Sequence, residues 1–350
     1  MLSELAVFTD WLDRYRVRGF IGEVGWPDDT RGDADGWNAL AEAWYRAADA
    51  RSLWVTTWAA GEWWHTEYPL AQYEDRVSVG GIDTPDTQAS VLERHRSTGD
   101  YLRGINVAGG EFGAPVLDGT SAFSNASPGR ADREYHYDSS ATFDYLAARG
   151  IELVRVPFRW ERLQPELGMP LDPAELARLR QVVRRAQAAG LEVVLDMHNY
   201  GGYYLFDGAR GVRRPIGSAQ VPIRSFSDAW RRISQAFRGN PGVVGYGLMN
   251  EPVELPAIGE TPPPATWFRA SQSAVTAIRR IGDRRLILVA GYNWSGVQQW
   301  SRWQPRPWIV DPAGNVRYEA HHYWDCDHSG TYPKTYEDEL SDAESGRCGA

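Results

Sequence analysis

Lysine is almost missing from this chain. Lys334 is the only lysine among 37 basic residues, and acidic residues number 46, which leaves a formal net charge of -9. A surface with that balance lacks the positive field that nucleic acid or an anionic membrane requires. Cysteine is nearly as scarce. Cys326 and Cys348 are the only two, too few for a four-cysteine zinc site. No apolar run approaches the ~18 residues of a membrane span. The opening residues Met1-Leu2-Ser3-Glu4 show neither a basic n-region nor an apolar h-region, so no signal peptide is expected. Nucleic acid, membrane and bound metal are therefore not expected partners, and a monomer is expected.

Aromatic residues are plentiful. There are 16 Trp and 17 Tyr, and a core accounts for only about half of them. Their rings combine an apolar face with a polar edge, which suits ligands such as sugars. The 350 residues fit one β/α barrel. Eight short apolar runs predict strands: 19–23, 53–58, 102–107, 152–157, 191–196, 243–250, 286–290 and 317–321. Runs so continuously apolar are buried on both faces, as parallel strands are. Helical patterns lie at 2–15, 171–190, 228–237 and 267–281. In the second of these, Pro173 sits in the first turn, Leu176, Leu179, Val182 and Val183 form the apolar stripe, and Gly190 is the stop. Alternating strand and helix predicts an α/β fold, and eight strands predict a closed (β/α) barrel. Residues 69–100 are the least regular stretch, with one short helix expected near 88–95.

Barrel active sites lie at the C-terminal ends of the strands. The predicted strands end in an unusually polar set: Glu23, Trp58, Arg155, Asp196 with His198 and Asn199, Asn250 with Glu251, and His321 with Tyr323. Glycoside hydrolysis needs two carboxyl groups facing one bond. Glu23 and Glu251 end different strands and can point into one mouth, with Arg155, His198, Asn250, His321 and Tyr323 around them. Any one of these can be a structural strand-end residue; the joint placement favours chemistry.

These segments resemble glycoside hydrolase family 5, especially the endo-β-1,4-glucanases of its subfamily 5. The resemblance rests on GINVAGGEFG (104–113), RVPFRWERLQPE (155–166), DMHNYGGYY (196–204), GLMNEP (247–252), GYNWSG (291–296), YEAHHYWDCDHSGT (318–331), GFIGEVGW (19–26) and WAAGEWW (58–64). The order departs from the family. There the GFIGE and WAAGxWW segments form the seventh and eighth strands; here they open the chain. The resemblance thus implies a single (β/α)8 TIM barrel, circularly permuted to start at the sixth helix and seventh strand. Residues 1–68 would be the seventh and eighth units, 69–101 a connector joining the family's usual ends, and 102–350 the first six units. A closed barrel tolerates this, because its first and last strands are neighbours.

The resemblance implies a retaining hydrolase of β-1,4-glucan with no cofactor, acting on polysaccharide or oligosaccharide outside the cell. Glu251 corresponds to the acid/base and Glu23 to the nucleophile. Arg155 and Tyr323 match the residues that hold the nucleophile ionised. Asn250 matches the binder of the sugar 2-hydroxyl, His198 and His321 the two active-site histidines, and Trp58 the platform at the cleaved bond. Asn199 and Trp294 are further candidates at strand ends. Trp63, Trp64 and Trp324 are expected with Trp58 and Trp294 along an open cleft, with Glu111 and Phe112 at its floor. The family's H-x-Y spacing selects His321 and leaves His322 a bystander. A disulfide between Cys326 and Cys348 is expected, since no other cysteine competes.

Other readings stay open. Mannan, xyloglucan or β-1,3-glucan can replace cellulose as substrate, and a catalytically silent barrel that binds polysaccharide is a different class. A calcium loop starting at Asp325 fails at its twelfth position, which is Tyr336 where a bidentate Glu belongs. A phosphate loop at 104–113 lacks the Lys-Ser/Thr pair.

Overall fold

The computed structural model describes residues 1–64, 68–74, 81–117 and 120–348. Eight parallel strands form the barrel: β1 (Gly19–Gly25), β2 (Trp54–Ala60), β3 (Arg103–Val107), β4 (Leu153–Phe158), β5 (Glu192–Met197), β6 (Val243–Gly247), β7 (Leu286–Ala290) and β8 (Val316–Tyr323). Each pairs with its neighbour in the chain, and β1 also pairs with β8, which closes the ring. All eight predicted runs are strands. The run predicted over 243–250 stops at Gly247, so Asn250 and Glu251 lie beyond its end.

Helices cover the outside. They include α1 (Leu2–Tyr15), α2 (Ala34–Asp49), α3 (Ser140–Ala148), α4 (Pro173–Ala188), α5 (Ile223–Phe237) and α6 (Pro263–Arg280). In α4 the Asp172 side chain accepts a hydrogen bond from the Glu175 N–H, and Pro173 fills the first position, a start that leaves fewer orphan donors. A short helix, Ala89–Arg94, lies in the expected connector; residues 75–80 of that connector lie outside the described residues. The connector's end is fixed by charge. His95 Nδ1 is 2.6 Å from Asp49 Oδ2 at the end of α2, and Arg103 at the start of β3 also bonds Asp49. A three-stranded antiparallel sheet over 120–121, 202–206 and 211–215 was not predicted.

Two cores result. Between barrel and helices lies one large apolar layer, and inside the barrel floor Phe20, Leu153, Val194, Leu286 and Leu288 form a second cluster. Strand alternation decides which residue goes where. On β8, Tyr318 packs against Trp11 of α1, and His322 accepts a hydrogen bond from Trp44 of α2. Glu319, His321 and Tyr323, one residue out of phase with these, point inward.

Candidate active site

β1 shows how a strand end is aimed. Strict alternation from Phe20 would turn Gly22 inward and Glu23 toward the helices. Instead the register against β8 shifts between Ile21 and Glu23. Such a bulge re-aims the residue after it. The Gly22 carbonyl accepts hydrogen bonds from Thr56 Oγ1 at 2.6 Å and Asn106 Nδ2 at 2.9 Å. Glu23 is thereby turned into the mouth.

Glu23 is almost fully buried. Arg155 Nη1 donates to its Oε1 at 3.0 Å, and the Tyr323 hydroxyl donates to its Oε2 at 2.8 Å. Burial alone would raise the Glu23 pKa. The charges of His321 and Arg155 and the Tyr323 hydrogen bond outweigh burial and hold the carboxyl below the usual glutamate value. Glu251 departs in the opposite direction. Burial, reinforced by the Glu23 charge, raises it despite a 2.8 Å hydrogen bond with His321 Nδ1. One oxygen of Glu23, one of Glu251 and a ring nitrogen of His321 all lie within 4.8 Å of one another. Two carboxyl groups with displaced pKa values in opposite directions can divide the roles of nucleophile and proton donor.

Their neighbours are held just as closely. Arg155 is wholly buried, and its Nη2 donates to Asn250 Oδ1 at 2.7 Å. Burial drives His198 well below the usual histidine value, so the ring is neutral. Its Nδ1 lies 2.8 Å from Asp196 Oδ2, and its Nε2 lies 3.1 Å from both Asn250 Nδ2 and the Tyr200 hydroxyl. The consistent assignment has Nδ1–H donating to Asp196 and Nε2 accepting. That fixes the Asn250 amide: its oxygen faces Arg155, one N–H faces His198, and the second N–H remains for a ligand.

Above this ring opens a cleft of about 530 Å³, whose lining includes Glu23, Glu251, Trp58, Tyr200, Trp294 and His321. Trp58 donates through Nε1 to the Tyr68 hydroxyl at 2.8 Å, and its ring lies 5.9 Å from that of His198. Trp294 is 37% exposed and sits 5.9 Å from the Tyr200 ring on another wall.

Several expected members fall elsewhere. Asn199 is spent on its own loop: its Oδ1 accepts from the Trp160 N–H at 2.8 Å and its Nδ2 donates to Glu161 at 2.8 Å. Trp324 does not line the cleft. It is one residue out of phase with Tyr323, so it stacks on Trp26 beneath the helices. Trp63 and Trp64 gather around Phe112 beside Trp58, with Trp64 stacked on Tyr68 at 3.8 Å. Glu111 is buried rather than exposed at the cleft floor. Asn106, Glu319 and Tyr200 were not singled out from the sequence. Inward alternation from His321 and Tyr323 would have found Glu319.

Three groups have metal-ligand spacing among the described residues. Each has members committed to other bonds. In the group at the cleft, burial opposes a charged His321, but Glu23, Glu251 and Glu319 push its pKa up to about 10, so both ring nitrogens carry protons. In the second, hydrogen bonds from His136 to carboxylates, chiefly Glu62, raise its pKa to about 9, and Glu62 is also occupied by Ser139 N and Thr142 Oγ1. In the third, Cys326 and Cys348 are joined as a disulfide. The Asp325 carboxylate takes N–H bonds from Gly330, Thr331 and Tyr332, so that stretch is a self-bonded loop.

Residues 104–346 match the cellulase family, glycosyl hydrolase family 5. The chain is 30% identical over 265 residues to a manganese dependent endoglucanase of Phanerodontia chrysosporium, a match covering 73% of this chain and 60% of that protein. Among solved structures, the endoglucanase Cel5A of Pseudomonas stutzeri in complex with cellobiose aligns with a TM-score of 0.55 at 36% identity, covering 65% of this chain and 62% of that one. An endo-β-1,4-glucanase from Xanthomonas axonopodis pv. citri aligns with a TM-score of 0.55 at 35% identity over 70% and 73% of the two chains. The match with the first two relatives thus spans less than two thirds of their length.

Proposed function

The chain belongs to the cellulase family, glycosyl hydrolase family 5, and from that premise we propose that it is a retaining endo-β-1,4-glucanase. The carrying observation is the spacing of the two carboxyl groups, with oxygens of Glu23 and Glu251 within 4.8 Å. Retaining enzymes hold their pair about 5–5.5 Å apart, whereas inverting enzymes need about 6.5–9.5 Å to admit a water.

In the first step Glu251 gives its proton to the glycosidic oxygen while Glu23 attacks the anomeric carbon from the other face. The leaving chain departs as an alcohol, and the sugar stays bonded to Glu23. In the second step Glu251, now ionised, takes a proton from water, and that water displaces Glu23. Arg155 and Tyr323 favour the Glu23 carboxylate before attack and after release. The free N–H of Asn250 meets the sugar 2-hydroxyl, and Trp58 supports the ring at the cleaved bond. Polymer chains outside the cell are the natural substrate for such a cleft.

The rotated strand order belongs to the same proposal. The family match begins at Gly104, on β3. It leaves out β1 and β2, which carry Glu23 and Trp58. A circular permutation, with 1–68 as the last two units, 69–101 as connector and 102–350 as the first six, accounts for a complete site in an incomplete linear match. The test is a panel of β-1,4-glucan, mannan, xyloglucan and β-1,3-glucan, followed by NMR of the first product. The expected result is highest kcat/KM on β-1,4-glucan with the β-anomer released first. An α-anomer would overturn the mechanism, and preference for another glycan would overturn the substrate. Binding without cleavage of any glycan would mark a silent barrel.

A further inference from the structure

Glu319 takes no part in the mechanism above, yet it is fully buried at the centre of the barrel. It lies on β8, two residues before His321. Its Oε1 is 3.1 Å from Arg155 Nη2 and 3.6 Å from His321 Nε2. Neither of its oxygens has a hydrogen bond of good geometry. A carboxylate in that position acts on its neighbours through charge. Space is kept for it: a Cβ on Gly22, the residue before Glu23, would collide with the Glu319 carboxyl group.

The reading of Glu251 as proton donor raises a question of direction. His321 Nδ1 lies 2.8 Å from Glu251 Oε1. A neutral His321 could accept the Glu251 proton there and withhold it from the substrate. A doubly protonated His321 can only donate to Oε1, so the proton of Glu251 must sit on Oε2. We propose that Glu319 is a positioning residue whose negative charge behind His321 keeps that ring protonated on both nitrogens, so that Glu251 presents its proton to the leaving group. This rests on the two-carboxyl mechanism and adds to it.

The charged and titratable groups that face the ring come from several elements. Glu23 comes from β1, Arg155 from β4, Asp196 and His198 from β5, Glu251 from the loop after β6, and Glu319 and Tyr323 from β8. Burial raises Glu319, but Arg155 and His321 outweigh it, so it stays ionised. Burial, Glu319 and Glu23 together push Asp196 up to about 8 in spite of Arg155. Glu23 and Glu319 are thus the ionised carboxylates that face Arg155 and His321. His321 holds its extra proton below its raised pKa of about 10 and loses it above.

The test is Glu319→Gln, with Glu319→Asp and Gly22→Ala beside it. In E319Q the basic limb of kcat/KM should move down by about one pH unit or more. Activity on cellulose should fall at least ~10-fold, while release of a good aryl leaving group, which needs no proton, should change less than ~3-fold. E319D should recover part of both effects, and G22A should imitate E319Q by displacing the carboxylate. A uniform loss on all substrates with an unmoved limb would show a structural role only and overturn the proposal. Nitrogen-15 NMR of His321 in the unsubstituted protein tests it without a folded variant or any activity. Imidazolium shifts at neutral pH are expected, and a neutral ring there overturns it. A wild-type protein that cleaves no glycoside would sink the mechanism instead, and the NMR result would still decide the state of His321.

Discussion

At the floor of the barrel, Phe20, Leu153, Val194, Leu286 and Leu288 close an apolar plug. At the mouth, the same strands or the turns that follow them present Glu23, Arg155, Asp196 and Asn250, buried and ion-paired or hydrogen-bonded. Both sets face the barrel interior. On β4, Leu153 and Arg155 are two residues apart, as are Val194 and Asp196 on β5. The change from plug to site is therefore a change of height along one face. The mouth also carries backbone that the floor cluster lacks. Tyr200, Glu251, Asn293, Trp294 and Ser295 all have left-handed φ values, which cost free energy and persist where the surroundings enforce them. The floor is an apolar packing region, and the mouth gathers the polar and strained groups.

Strand β1 holds one residue of each kind three positions apart, so it tests this division most sharply. Glu23→Gly should lower turnover by ~10⁴-fold or more, with Tm changed by less than ~5 °C. Azide should restore cleavage of an activated aryl glycoside and give the glycosyl azide of opposite anomeric configuration. Phe20→Ala should behave in reverse, destabilising by about 3–5 kcal/mol in denaturant melts while the folded fraction keeps kcat within ~3-fold. If F20A abolished turnover in folded protein, the two ends would not be separable.

The Cys326–Cys348 bond, with a sequence separation of 22, belongs to stability as well, although it anchors a loop that reaches the cleft. Cys326→Ser should cost up to about 3 kcal/mol, by the loop-closure entropy it releases in the unfolded chain. Its kcat should stay near normal. A large kcat loss without loss of stability would place this loop in the chemistry. The smallest effect is expected at Tyr323→Phe. The Glu23 pKa is lowered in the folded protein, and its ionised form is lost as pH falls through that value. Removing the hydroxyl at 2.8 Å weakens the ionised form, so the acidic limb of kcat/KM should rise by about one pH unit. A limb that stays put would mean that Arg155 and His321 hold Glu23 unaided.

The strands were legible because residues such as Leu286–Ala290 are apolar on both faces, and Glu23 and Glu251 stood out because each carboxyl group follows such a run. Helix α2 was not read from the sequence, although Trp37, Leu40, Ala41, Trp44, Tyr45 and Ala48 carry the helical spacing and are buried. Position after a strand alone puts Trp324 at the cleft, but alternation puts it with the helices, where it stacks on Trp26. The reach of Glu23 could not be derived from alternation at all, since it depends on the bulge at Gly22. Asn199 looked like a cleft residue because its partners, Trp160 and Glu161, come from a distant turn.

Glu23, outside the segment that matches the family, is proposed here as the nucleophile of a complete site. The direct measurement is to trap the enzyme with a 2-deoxy-2-fluoro cellobioside bearing a good leaving group, and to locate the label by peptide mass spectrometry. One sugar per chain is expected, bonded to Glu23 in the peptide containing Gly19–Gly25. A label on Glu251 or any other residue, or no label on an enzyme that the reagent should inactivate, would contradict it.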